Sequence, residues 1–81
     1  MENCWYVYIL KCSNDSLYTG HTTDIERRIV EHNAGKVHYT KDKRPVKLVT
    51  FTGFIDKYKA IAFEKYLKSG SGIAFRNKHL I

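Results

Sequence analysis

Residues 23–35 constrain the fold of this chain more than any other stretch, because they carry a full set of helix signals. Thr23 followed three residues later by Glu26 forms a capping box, in which each side chain satisfies a backbone amide left unpaired at the helix start. Ile25, Arg28, Ile29 and His32 then recur at i, i+3, i+4 and i+7, so the four share one face. Asn33-Ala34-Gly35 supplies the stop, with Gly35 free to take a positive φ. A short amphipathic helix of this kind is stable only against a partner surface.

The preceding residues supply that surface. Cys4-Trp5-Tyr6-Val7-Tyr8-Ile9-Leu10-Lys11 is aromatic and β-branched, which favours a strand. Ser13-Asn14-Asp15-Ser16 is a turn cluster, and Leu17-Tyr18-Thr19 reads as a short second strand ending at Gly20. Together they predict an antiparallel hairpin. After the helix, residues 36–45 form a polar, basic connection closed by Pro45, and Val46 to Thr52 read as a third strand. Asp56 can cap a second helix over about 57–68, with Ala60, Phe63, Glu64 and Leu67 on one stripe. Gly70-Ser71-Gly72 reads as its breaker, followed over 73–81 by a short helix or turn in which Ile73, Phe75 and Leu80 pack back. The expected fold is α+β, a small three-stranded antiparallel sheet flanked by helices in the order ββαβα plus a C-terminal tail. Residues 1–81 are expected to form one domain, large enough to close a core without disulfides.

Charge divides the chain. Residues 1–35 hold three Lys/Arg against five Asp/Glu, a net −2, whereas residues 36–81 hold eleven against three, a net +8. Such an excess can supply salt-dependent attraction to polyanions, although basic surfaces also occur for solubility alone. Cys4 and Cys12 are eight residues apart, which along one strand is roughly 26 Å at about 3.3 Å per residue, too far for a disulfide. They are expected to be free thiols in a reducing compartment. With no membrane-length apolar run and no leader pattern, a cytoplasmic location is expected.

The informative residues are the polar ones that share apolar stripes. Arg28 and His32 lie beside Ile25 and Ile29, while Arg27 and Glu31 point elsewhere. Glu64 lies beside Phe63 and Leu67 on the second helix. A carboxylate on such a face loses hydration, which is costly unless a cation or several donors replace it. Either Glu64 pairs structurally with Arg28 or snorkels to the rim, or it holds a divalent metal. Tyr6, Tyr8 and Leu10 share one face of the first strand, and Tyr18 can stand on the same face. Two phenols, an arginine, a histidine and a glutamate converging on one sheet face would be unusually polar for a core. His21, His38 and His79 have no spacing that argues for ligands.

These residues resemble the GIY-YIG nucleases. Tyr6-Val7-Tyr8 and Tyr18-Thr19-Gly20 look like the paired tripeptides that name the family, and Arg28, His32 and Glu64 match its arginine, its frequent histidine and its metal-binding glutamate. The resemblance covers nearly the whole chain. It is similar to short stand-alone bacterial members, without the extra DNA-binding domains of homing endonucleases or the excision-repair incision subunit. Two positions depart from the pattern: Tyr6 replaces a glycine and Thr19 an isoleucine or valine, while both tyrosines that would carry chemistry are kept. Asn77 is a loose match for the family's late asparagine.

The resemblance implies a divalent-metal-dependent endonuclease acting on DNA, with RNA also open, and with low sequence specificity. The candidate catalytic residues are Tyr8, Tyr18, Arg28, His32 and Glu64. Glu64 would bind Mg²⁺ or Mn²⁺, with waters and a phosphate oxygen completing the shell. Tyr8, preferred over Tyr18, would be the general base, Arg28 would lower its pKa and clamp the phosphate, and His32 would orient water or relay a proton. Lys36, Lys41, Lys43, Arg44, Lys47, Lys68 and Arg76 are the candidate backbone contacts, which hold phosphates without reading bases. A non-catalytic binding module of the same fold is the alternative, and a homodimer or a protein partner for targeting is open.

Overall fold

The computed structural model describes residues 4–81. Its order is β1 (Trp5–Lys11), β2 (Leu17–Thr22), α1 (Ile25–Asn33), a single 3₁₀ turn (Lys41–Lys43), β3 (Lys47–Phe54), α2 (Lys57–Leu67) and α3 (Gly70–His79). The three strands form one antiparallel sheet in the order β2-β1-β3, so the expected α+β architecture holds.

Central β1 is the keel of the molecule. Val7, Tyr8, Ile9 and Leu10 are all buried, because both faces of this strand are covered. The pleat sends Val7 and Ile9 to one side, where they meet Ala60 and Leu67, with Trp5, Leu17, Phe54, Phe63, Phe75 and Leu80 around them. Tyr8, Leu10 and Cys12 cluster with Val46 on the other side, and Tyr18 and Ile29 pack against them. The sheet thus lies between α1 on one face and α2 with α3 on the other. Cys4 and Cys12 are buried and free, as their spacing predicts.

The hairpin turn closes by local chemistry. Asn14 Oδ1 accepts from the Ser16 amide at 3.1 Å and from the Ser16 hydroxyl at 2.6 Å, and Asp15 takes φ 67°. β2 does not end at Gly20. The ladder continues through Tyr8↔Gly20, Val7↔His21 and Tyr6↔Thr22, because pairing with the buried β1 outweighs the weak strand preference of one glycine.

The start of α1 also differs from expectation. Asp24, and not Thr23, is the cap: its side chain accepts from the Arg27 amide at 3.0 Å. A carboxylate there adds favourable interaction with the positive end of the helix, which a threonine lacks. Thr22 Oγ1 accepts from the Asp24 amide at 3.1 Å and steadies the approach. At the other end Gly35 takes φ +78°, as its place after the helix predicts. Asp56 caps α2 through the amides of Tyr58 and Lys59.

Gly70-Ser71-Gly72 is the first turn of α3 and not a breaker. Ser69 caps this helix, accepting from the Gly72 amide at 3.2 Å and donating to the Tyr66 carbonyl at 2.6 Å. Gly72 is buried, and a Cβ there would fall on the Tyr66 carbonyl group. The glycine lets α3 dock directly against the last turn of α2. Phe75 and Leu80 pack back as expected, but Ile73 stays outside the core and 39% exposed. Replacing Gly72 by Ala should lower the free energy of unfolding by about 1–3 kcal/mol, the cost of overpacking against atoms that cannot retreat. Urea denaturation checks this. An unchanged midpoint would mean that α3 can shift at no cost.

Candidate active site

Tyr8 and His32 are brought together from the sheet and from α1. Tyr8 is 1% exposed and His32 0%. The Tyr8 hydroxyl lies 3.0 Å from His32 Nε2, and His32 Nδ1 lies 2.7 Å from Thr40 Oγ1, itself buried. This makes a continuous Tyr8–His32–Thr40 chain, in which the imidazole tautomer sets the direction of each hydrogen bond. Tyr18 packs its ring 4.9 Å from His32 and 6.2 Å from Tyr8. Thr40, in the basic connection after α1, has no periodic signal in the sequence that would have singled it out.

Gly20 explains why the second motif ends in glycine. Its Cβ would stand 2.7 Å from the Tyr8 hydroxyl and 2.9 Å from the Tyr18 ring. Only a residue without a side chain leaves room for both phenols on that face.

Burial pushes the Tyr8 phenol up to about 12, and the charge of Tyr18 and Glu64 adds to the rise, while Arg28 pulls the other way without prevailing. Arg28 thus lowers the phenol, as expected, but burial outweighs it. Burial, with the Arg28 charge second, holds His32 below its ordinary value, so the imidazole is neutral at pH 7. Arg28 Nη1 donates to Glu31 Oε1 at 3.0 Å. Glu31, expected to point elsewhere, is its partner, because i, i+3 neighbours meet on a helix surface. Glu31 is held below the usual carboxylate range by that hydrogen bond.

Glu64 reaches the site from the opposite face. The pleat of β2 turns Tyr18 and Gly20 toward α1 and His21 toward α2, where Glu64 Oε1 hydrogen-bonds His21 Nδ1. Glu64 Oε2 accepts from Lys68 Nζ at 2.8 Å. The five candidate residues therefore do not share one sheet face. They straddle the edge strand β2, with Gly20 between them. Nor does Glu64 pair with Arg28, since His21 and Lys68 lie closer on its own side. Burial alone would raise the Glu64 carboxyl, but Lys68 and His21 outweigh it and hold it below its ordinary value. His21 was the residue that spacing failed to flag. Only strand alternation combined with the position of α2 brings it to Glu64.

Among the described residues no three or more His, Cys, Asp or Glu side chains group as a metal cage. What they offer is one ionised carboxylate, with 17% of its side chain exposed, beside a lysine that is half exposed. That donor set suits a hard cation such as Mg²⁺, which keeps waters and takes one or two carboxylates plus phosphate oxygens.

The candidate phosphate contacts are scattered. Lys36, Lys41 and Lys47 are exposed. Lys43 donates to the Tyr39 carbonyl at 2.8 Å, and its ammonium lies 4.3 Å from the centre of the Tyr39 ring. Arg44 donates to the carbonyls of Lys41 and Asn33, so it braces the connection after α1. Arg76 binds the exposed Asn77 side chain and lines the same cleft as Lys68 and Tyr18.

Residues 4–76 match the model of the GIY-YIG catalytic domain. The chain belongs to the GIY-YIG family. This is a nuclease superfamily, as the resemblance implies. The chain is 50% identical over 70 residues to the UPF0213 protein HQ_3675A of Haloquadratum walsbyi, covering 85% of this chain and 79% of the relative. It is 52% identical over 67 residues to UPF0213 protein SH2523 of Staphylococcus haemolyticus, covering 82% of each. Among solved structures it resembles the solution structure of UPF0213 protein BH0048 from Bacillus halodurans, at 38% identity and a TM-score of 0.58 over 93% of this chain and 83% of that one. The solution structure of EF2693 from E. faecalis matches with a TM-score of 0.60 at 32% identity, over 100% of this chain and 94% of that one. This GIY-YIG chain is thus similar to UPF0213 proteins over most of its length. Among its described residues no helix is long and apolar enough to cross a membrane.

The buried histidine gives a pH signature. Because its folded pKa lies below the unfolded value near 6.5, the unfolded state binds the proton first as pH falls. His32 should therefore subtract stability only below about pH 6.5 and not above it. Its ring resonances in an NMR titration should stay those of a neutral imidazole at pH 6.5. A midpoint at or above 6.5 would mean the ring is not held dry.

Proposed function

We propose that this GIY-YIG chain is a divalent-metal-dependent endonuclease that hydrolyses phosphodiester bonds in DNA with little intrinsic sequence preference. One observation carries the reading. An ionised, largely buried carboxylate on α2 lies on one side of the edge strand β2, and two buried or half-buried phenols with a neutral imidazole lie on the other, where Gly20 leaves room for both phenols. Such groups are needed to hold a phosphate, bring water to it and remove a proton.

Glu64 would hold Mg²⁺ or Mn²⁺, and Lys68 would give way or turn to the phosphate. A cation held there would supply charge neutralisation to the reacting phosphate. Arg28 is always protonated, and its fork suits two phosphate oxygens once it leaves Glu31. Tyr8 orients the attacking water. It becomes a base only if its own proton has somewhere to go, and His32 Nε2 at 3.0 Å is that acceptor. The tautomer that serves this carries its proton on Nδ1 and donates to Thr40 Oγ1. Tyr8 and His32 then act as one unit, and the negative charge of the arriving phosphate offsets the imidazolium that forms beside Arg28. Tyr18 supports the pair and contacts phosphate. The exposed lysines of the connection between α1 and β3 hold the DNA backbone without reading bases, which is why little sequence preference is proposed.

A cytoplasmic site of action, and a second copy or protein partner for targeting, belong to the same proposal. A binding module without cleavage is the second reading. It is favoured by the fact that both Glu64 oxygens already accept hydrogen bonds from His21 and Lys68.

Cleavage of labelled single-stranded, duplex and branched DNA with Mg²⁺ or Mn²⁺ separates the two. Wild type should cut, Glu64→Gln should bind equally well and not cut, and chelation should stop the reaction. If neither cuts and both bind equally, the binding module is the function. Within the enzyme reading, Tyr8→Phe and His32→Gln should each lower kcat by about 10²–10⁴, the usual contribution of acid–base catalysis. Acting as a unit, they should lose little more when combined than singly. Additive losses in the double variant would rule out the shared proton path.

A further inference from the structure

A cleft of about 380 Å³ opens beside the site, lined by Leu17, Tyr18, Tyr39 and Ile73, with the cations Lys68 and Arg76 among its walls. Tyr39 is 50% exposed, and its ring centre lies 5.5 Å from that of Tyr18 at a tilt of 42°. Scattered exposed apolar residues need no explanation. Here, however, two aromatic rings and an exposed isoleucine meet two cations, Lys68 and Arg76, while Lys43 lies outside the lining against the Tyr39 ring. The cleft shares Tyr18 with the Tyr8–His32 pair, and it shares Lys68 with Glu64.

We propose that this cleft takes an unpaired nucleobase of the substrate strand, next to the phosphate that is cut. The inference rests on the nuclease reading above and narrows its substrate to strands that are single or locally unpaired. A volume in the range of about 300–1,000 Å³ is that of a small-ligand pocket, whereas a duplex would have to dock across a wide groove. In a paired and stacked duplex the base faces are occupied, so a wall built from Tyr39, Tyr18 and Ile73 has nothing to cover. In an unpaired segment every base offers a π-face, and such stacking tolerates all four. Lys68, Arg76 and Lys43 are placed to neutralise the flanking phosphates. Position matters as much as chemistry: a base seated here fixes its own phosphate within reach of Lys68, and hence of Glu64.

The test uses the full chain carrying Glu64→Gln, so that DNA is bound and not cut. The probe is a short single strand with one 2-aminopurine, compared with the same sequence as a blunt duplex. Binding should quench the fluorescence of the single strand and leave the duplex unaffected. Adding Tyr39→Leu should abolish the quench and weaken single-strand binding by at least about fivefold, the lower end of one base–aromatic stack. Tyr39→Phe should retain both, and Ile73→Ser, on the far wall, should reduce both without touching the rings. Equal quenching and affinity in Tyr39→Leu and its parent would overturn the proposal, as would a duplex that binds as tightly as the single strand. Since no cleavage is read, a wild type that cuts nothing defeats the nuclease reading alone, and the quench still decides the base site.

Discussion

The structure depends on the burial of one strand from both sides. β1 is paired along both edges and covered on both faces, so its residues alternate between two different environments. Val7 and Ile9 build an ordinary apolar core with α2 and α3. Tyr8, one residue out of phase, carries a hydroxyl into the buried layer beneath α1, where a hydrogen-bond partner has to replace lost hydration. His32 is that partner, and Thr40 satisfies the other ring nitrogen. No buried side-chain nitrogen or oxygen among the described residues is left without a hydrogen bond. What looks like a polar intrusion into the core is a closed network, which rigidifies when fully satisfied.

That closure has an electrostatic consequence. The dry environment that holds Tyr8 and His32 in place also keeps both uncharged, raising the phenol and lowering the imidazole. Glu64 is the contrast. It sits at the strand edge, and two donors keep it ionised in spite of partial burial. One side of β2 therefore adjoins the neutral Tyr8–His32 pair and the other a fixed negative charge. Under the proposed function, a phosphodiester with its cation would span that division, with a positive centre for Glu64 and negative oxygens for Arg28.

The same edge strand accounts for the opening of the site. Among the described residues no strand pairs with the outer side of β2, and Gly20 removes the side chain that would block the phenols. Tyr39, delivered by the connection after α1, extends the aromatic surface beyond the strand. α3 supplies the facing wall only because Gly72 allows it to dock against Tyr66.

Much of this was legible in the order of residues. Helix α1 with its four-residue stripe, the hairpin, the cap at Asp56 and the stop at Gly35 follow from local rules, because capping, turn chemistry and periodicity act within a few residues. Arg28, His32 and Glu64 stood out by type and spacing on their helices, and the two tripeptides by their resemblance to the family. Where local signals competed, neighbours decided. Asp24 displaced Thr23 as cap by one residue, β2 ran on through Gly20 because β1 needed a partner, and Gly70-Ser71-Gly72 became helix because close packing favours what propensity disfavours. The sequence by itself determined which groups are present and which face of its own element each occupies. Only the tertiary structure decided that Glu64 meets His21 and Lys68 and not Arg28, that Thr40 completes the Tyr8–His32 chain, and that Tyr8 is too well buried for Arg28 alone to activate. The reason is physical: periodicity orients a side chain within its element, whereas partners and desolvation come from the other elements that pack against it.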